Sequence, residues 1–295
     1  MAREVSGVVR EDGPGGLPFL VVGTDRCRAR LTPYGAHVCE WTPAGQATSA
    51  LFLSPRATFA VGKAIRGGVP ICFPWFANHP SDATKPAHGF ARTRLWEVAE
   101  IARDDAGDVR VGFRLTSDAE TRAYWPADFV ATLTVTLGRS LAMTLDVENT
   151  GADEIAYESA LHTYLTVGDV ERIRIHGLER TRFVDKVDGF KEKTAGDVPL
   201  VIAGEVDRAY LDTIAACTVD DPVRGRRIRI EKDHSLDTVV WNPGYEKGRS
   251  VADIGAEAWR SFVCVETANC RPHVVRLAPR ARHAMTARID VTAQR

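Results

Sequence analysis

The chain has 295 residues, 44% of them hydrophobic and 26% charged, a composition that can bury a large core and lies outside the disordered and fibrous classes. Thirty-eight basic residues against 39 acidic ones leave a formal net charge of -1, so no global field of either sign exists to hold nucleic acid or an anionic membrane. Any anion has to be caught locally.

The N-terminal stretch MAREVSGVVREDGPGG carries charges where a secretory peptide needs its apolar run, and no segment approaches the roughly 20 apolar residues of a membrane span. The six cysteines form no C-x-x-C pair and the chain has no N-x-[ST] acceptor site. A cytoplasmic protein with free thiols is expected, and the near-neutral charge balance permits a monomer.

RGGVPICFPWF, residues 66–76, frames Arg66 with two glycines and two prolines: the glycines allow a close backbone approach to a ligand and the prolines stiffen the loop. HGFAR follows at 88–92, with His88 and Arg92 four positions apart around a glycine. From Val109 onward alternation dominates. Val109, Val111, Phe113 and Leu115 mark one strand. Ser117 and Glu120 have capping-box spacing ahead of AETRAYW, a short helix that Pro126 closes. VATLTVTL places Ala131, Leu133, Val135 and Leu137 opposite a row of threonines, and LAMTLDVE resumes the pattern after Gly138, Arg139 and Ser140, predicting a hairpin with a three-residue loop.

ALHTYL embeds His162 in apolar and aromatic residues. Ile173 with Ile175, Ile228 with Ile230, and Met285 with Ala287 and Ile289 continue the period of two, as antiparallel strands with one solvated face do. Residues 180–210 are the least periodic and are expected to form a long loop near the functional site. FVCVETANC sets Glu266 at the end of a strand-like apolar run, where a carboxylate is expensive unless paired or used. With no Ser- or Pro-rich linker, one domain spanning 1–295 is expected, a large all-β antiparallel sandwich.

Inspection removes several chemistries. The chain has no G-x-x-x-x-G-K-[ST], no H-E-x-x-H and no G-x-S-x-G; GPGGLP fails the dinucleotide pattern at its sixth position; and the eight histidines are scattered singly, which argues against a metal site. Each remaining residue also has a plain structural reading: His162 as a hydrogen-bonded core histidine, Glu266 as a strand-end charge in water, Arg66 and Arg92 as ion-pair partners, and Phe73, Trp75 and Phe76 as core packing. Taken together, a histidine, a carboxylate and two arginines on a β scaffold suggest proton transfer on a small anionic substrate without a cofactor. A sugar phosphate fits both halves, its ring stacking on aromatic side chains and its anionic tail held by guanidinium groups.

The ordered set RGGVPICFPWF, HGFAR, WPADF at 125–129, ALHTYL, EVDRAY, VVWNPG and VCVET resembles the hexose-6-phosphate mutarotases (glucose-6-phosphate 1-epimerases) of the galactose mutarotase-like superfamily. The resemblance implies a sugar site lined by the R-G-G-x-P loop, with Arg66 and Arg92 on the phosphate. It implies that Glu266 takes the proton of the anomeric hydroxyl while His162 protonates the ring oxygen, and that His88 and Asp207 orient the substrate. No metal or nucleotide is implied. A starting proton on His162 rather than Glu266 predicts a bell-shaped pH dependence. Two other readings stay open: an aldose 1-epimerase acting on unphosphorylated sugars, and a carbohydrate-binding protein without turnover.

Overall fold

The computed structural model describes residues 5–294, and the period-two segments form antiparallel sheets throughout. One eight-stranded sheet runs, in spatial order, Arg174–His176, Cys217–Asp221, Arg226–Asp233, Arg282–Ala293, Ser140–Asn149, Phe129–Leu137, Val109–Thr116 and Glu97–Arg103. Leu137 lies opposite Leu141, so the predicted hairpin has its three-residue turn, and Ala131, Leu133 and Val135 are buried while the intervening threonines are half-buried. A second sheet runs Lys191–Thr194, Arg182–Asp185, Val206–Tyr210, Asp237–Asn242, Phe262–Asn269, Ser159–Leu161 and Ile71–Cys72, with Tyr164–Thr166 also paired to Phe262–Asn269. A four-stranded sheet, Val8–Asp12 to His37–Pro43, and a two-stranded one, Ile155–Tyr157 with Val275–Leu277, complete the sheets.

The main core joins the two large sheets: Val111, Leu133, Leu145 and Ile289 from the first share a buried cluster with Leu161, Val240, Val263 and Val265 from the second. The opposite face of the second sheet is buried as well, around Cys72, Ala160, Ala209, Val239 and Ala268. A strand covered on both faces reads as a continuous apolar run, which is why FVCVETANC shows no alternation.

Two expectations are corrected. The helix Ala119–Tyr124 is capped one residue later than predicted: Asp118 Oδ1 accepts from the Thr121 amide at 2.7 Å and Thr121 Oγ1 accepts from the Asp118 amide at 2.8 Å. Ser117 Oγ instead accepts from the Phe129 amide at 3.2 Å. Residues 180–210 are not one loop; they hold the hairpin Arg182–Asp185 and Lys191–Thr194 and the strand Val206–Tyr210, masked in the sequence by charged residues on their exposed positions. The glycines of RGGVPICFPWF also bring the loop close onto neighbouring backbone. A Cβ at Gly67 would sit 2.4 Å from the Phe52 carbonyl oxygen, and one at Gly68 would sit 2.3 Å from that of Val38. A second helix, Gly244–Ser250, follows Asn242, whose Oδ1 accepts from the Gly244 amide.

The aromatic residues of that loop divide. Phe73 stands edge-on to Trp125, Phe129 and Tyr157 in the core, and the Trp75 indole donates to the Pro86 carbonyl, whereas Phe76 joins the second cluster. Gly89 presses against Phe73: its φ is +72° and a Cβ there would lie 2.0 Å from the Phe73 oxygen. Gly89→Ala is therefore expected to lower stability by about 2–3 kcal/mol and to displace His88 and Arg92. Urea denaturation checks this, and an unchanged midpoint would show that the two loops separate freely.

Candidate active site

Directly opposed residues of a sheet project to one face, and successive residues alternate. Asp207 lies opposite Trp241, Trp241 opposite Cys264, and Tyr164 also opposite Cys264, so these side chains share a face with Glu266, two residues beyond Cys264. Cys72 reaches the same face through Ala160 and Ala268. The candidate residues, far apart in the chain, are collected there by strand register.

His162 occupies the break between the short strands Ser159–Leu161 and Tyr164–Thr166, both of which pair with the Glu266 strand. Its amide donates to the Pro70 carbonyl at 3.0 Å, so the 66–76 loop props the histidine from outside. The ring stacks on Tyr164, with centroids 4.9 Å apart and planes 11° from parallel, and meets Trp241 edge-on at 5.9 Å. His162 Nε2 stands 3.4 Å from Glu266 Oε1.

That separation is longer than the ~2.7–2.9 Å of a charge-assisted hydrogen bond. Burial pushes the proton affinity of His162 well below the ordinary histidine range, with His88, Arg92 and Arg66 adding to the effect. Burial likewise pushes Glu266 well above the ordinary carboxyl range. Both shifts favour the uncharged form of each group. His162 Nδ1 and Glu266 Oε2 are buried without a hydrogen-bond partner among the described residues, an arrangement that costs about 1–3 kcal/mol per group and is kept where a ligand or a reaction uses it.

His88 lies edge-on to His162 at 5.8 Å, and its φ is +64°. Its Nδ1 accepts from the Ala77 amide at 3.2 Å, leaving Nε2 to carry the ring proton as a donor. Burial, helped by Arg92, Lys186 and Arg66, holds His88 neutral down to about pH 3. Arg66 donates from Nη1 to the Tyr164 hydroxyl at 2.9 Å and pairs through Nε with Asp253 at 3.1 Å. Arg92 donates from Nη2 to the Ala87 carbonyl at 2.8 Å and has no carboxylate partner among the described residues. Asp207 pairs with Lys186 at 2.8 Å.

All six sequence candidates thus border one buried face. Sequence reasoning missed Lys186, Tyr164, Trp241 and Asp253, and gave Phe76 a packing reading. Tyr164 and Trp241 lay inside segments already singled out, and extending the strand alternation through Arg182, Val184 and Lys186 would have aimed the lysine at this face.

The family model described as aldose 1-epimerase matches residues 19–289. The chain belongs to the aldose 1-epimerase family. A relative from Escherichia coli strain K12, provisionally named glucose-6-phosphate 1-epimerase, is 37% identical over 252 residues, covering 85% of this chain and 83% of the relative. The crystal structure of a provisionally named mutarotase from Salmonella typhimurium superimposes with a TM-score of 0.92 at 32% identity, over 100% of this chain and 96% of that one. A galactose mutarotase related enzyme from Lactobacillus acidophilus matches with a TM-score of 0.75 at 13% identity, over 94% of this chain and 98% of that one, and shows the shared fold alone. As an aldose 1-epimerase family member, the chain is an isomerase on the galactose mutarotase-like β-sandwich, and its substrate is a sugar.

Proposed function

We propose that this protein interconverts the α and β anomers of glucose 6-phosphate and related aldohexose 6-phosphates, with His162 and Glu266 as the acid–base pair. The observation that carries this reading is the convergence of His162 Nε2 and Glu266 Oε1 at 3.4 Å on a buried face. The two oxygens of a hemiacetal share one carbon, so an acid and a base that serve both must converge side by side. Glu266 takes the proton of the anomeric hydroxyl, the hydroxyl oxygen forms the carbonyl with C1, the bond from C1 to the ring oxygen breaks, and the ring oxygen takes a proton from His162. Rotation about C1–C2 and closure on the other carbonyl face, with the roles exchanged, yields the opposite anomer.

Ring opening converts an ionised pair into a neutral one, and burial favours the neutral pair. The dry site therefore stabilises the opened intermediate relative to the same pair in water. Phosphate binding supplies the complementary effect. Arg66 and Arg92 disfavour a proton on His162, and a phosphate dianion between them offsets that charge, so the bound substrate restores the histidine as an acid.

The test is magnetization-exchange NMR on the anomers of glucose 6-phosphate and of glucose, with uncatalysed exchange subtracted. Acceleration for the phosphate ester supports the proposal. No acceleration with folded protein, but saturable sugar binding, would make the protein a carbohydrate binder. A specific observation favours the free-aldose reading as the alternative: Arg66 is already engaged by Asp253. Equal acceleration of both sugars would select it.

The same assay carries a pH prediction. Because His162 is depressed and Glu266 elevated, the singly protonated pair spans the interval between them, and turnover at saturation should follow a broad bell. Its acid limb lies below the ordinary histidine midpoint of about 6.5 and its basic limb above the glutamate value of about 4.3. An acid limb centred on the ordinary histidine value would contradict the buried, neutral pair.

A further inference from the structure

We propose that Lys186 is a positioning residue for the mutarotase reaction: by pairing with Asp207 it neutralises that carboxylate beside Glu266 and leaves Glu266 free to serve as the base. The inference rests on the reading above and adds a residue that the sugar-site motifs do not contain.

The geometry holds Lys186 firmly. It follows the strand Arg182–Asp185, in which Val184 lies opposite Ala209, so Lys186 projects to the same face as Asp207 and Glu266. Its amide donates to the Asp207 carbonyl at 2.9 Å and its Nζ to Asp207 Oδ1 at 2.8 Å. The ammonium also lies 4.8 Å from the centre of the Phe76 ring, within cation–π range, and the Phe76 amide is anchored by Glu158 Oε2 at 2.9 Å. An exposed ion pair with two long free side chains is worth little, but here the lysine side chain is only 18% exposed and its partner 24%.

The charges around Glu266 explain why the pair matters. It faces His162 from the strand break and is under the charges of Arg92 from the 88–92 loop, Asp207 from the strand Val206–Tyr210 and Lys186 just after Arg182–Asp185. Cys72, Cys264, Cys270 and the Tyr164 hydroxyl are further titratable groups that sense its charge. Burial is the largest influence holding a proton on Glu266; Lys186 opposes it and Asp207 adds to it. Asp207 without its counter-charge would be a bare anion next to a carboxyl group that must ionise before each ring opening.

The decisive experiment is a carbon-13 NMR titration of the Glu266 carboxyl, identified by its loss in Glu266→Gln, in the wild-type protein, Lys186→Met and Lys186→Arg. Methionine keeps an apolar chain against Phe76 and removes the charge. The Glu266 midpoint should rise by about one pH unit in Lys186→Met and stay within a few tenths of a unit in Lys186→Arg. In the exchange assay the basic limb of Lys186→Met should move up by the same interval, and its plateau turnover should fall about tenfold, because less of the pyranose complex has Glu266 ionised. Lys186→Arg should recover most of that turnover. An unmoved Glu266 midpoint in Lys186→Met, with turnover lost evenly at all pH values, would overturn the proposal and leave Lys186 a packing residue. Should Lys186→Met fail to fold, Lys186→Gln replaces it in the same comparison. A wild-type protein inert toward glucose 6-phosphate would sink the mutarotase reading by itself, while the carboxyl titration would still judge the effect of Lys186 on Glu266.

Discussion

Glu266→Gln and His162→Ala are each expected to lower catalysed anomer exchange of glucose 6-phosphate by about a thousandfold, as removal of a general acid or base does. The two should differ in stability. Glu266 is 1% exposed, one of its oxygens has no partner among the described residues, and a buried carboxyl in that state is a burden on the fold. Its replacement by an uncharged amide of the same shape should leave the urea midpoint unchanged or raise it, the pattern of a residue kept for activity. His162→Ala should lower the midpoint, because the imidazole fills the space between Tyr164, Trp241 and His88. Near-native turnover in either variant would remove that residue from the proposed mechanism. A sharp loss of stability in Glu266→Gln would make the carboxyl a structural group.

Arg92→Ala is expected to reduce kcat/KM for glucose 6-phosphate by about 30-fold, the equivalent of one charge-assisted hydrogen bond of about 2 kcal/mol. Turnover of unphosphorylated glucose should not fall. Arg92 is the informative arginine because its only hydrogen bond among the described residues is to the Ala87 carbonyl, so its removal leaves no carboxylate unpaired. Arg66 is different: deleting it strands Asp253 and the Tyr164 hydroxyl together, and a loss of activity there would mix binding with repacking. An equal loss for both sugars in Arg92→Ala would mean that the residue acts through the 88–92 loop, and would favour the free-aldose reading.

The pair and the two arginines were legible before any coordinates because each lies in a segment of unusual local chemistry. Glu266 ends an apolar run, His162 sits among apolar and aromatic residues, Arg66 heads one glycine-containing loop and Arg92 ends another. Lys186 had no such marker. It lies in a charged hairpin where one lysine resembles several others, and only its pairing with Asp207 across adjacent strands distinguishes it. The same limit applied to Asp253, which reaches Arg66 from a turn nearly two hundred residues along the chain.

Local sequence by itself determined the β architecture, the long hairpin from Phe129 to Asn149 and the list of polar groups that could do chemistry, because alternation and desolvation cost are properties of neighbouring residues. Only the tertiary structure decided which of those groups meet and that the glycines of the 66–76 loop lie against neighbouring backbone. These depend on strand register, which arises only when the sheet is assembled.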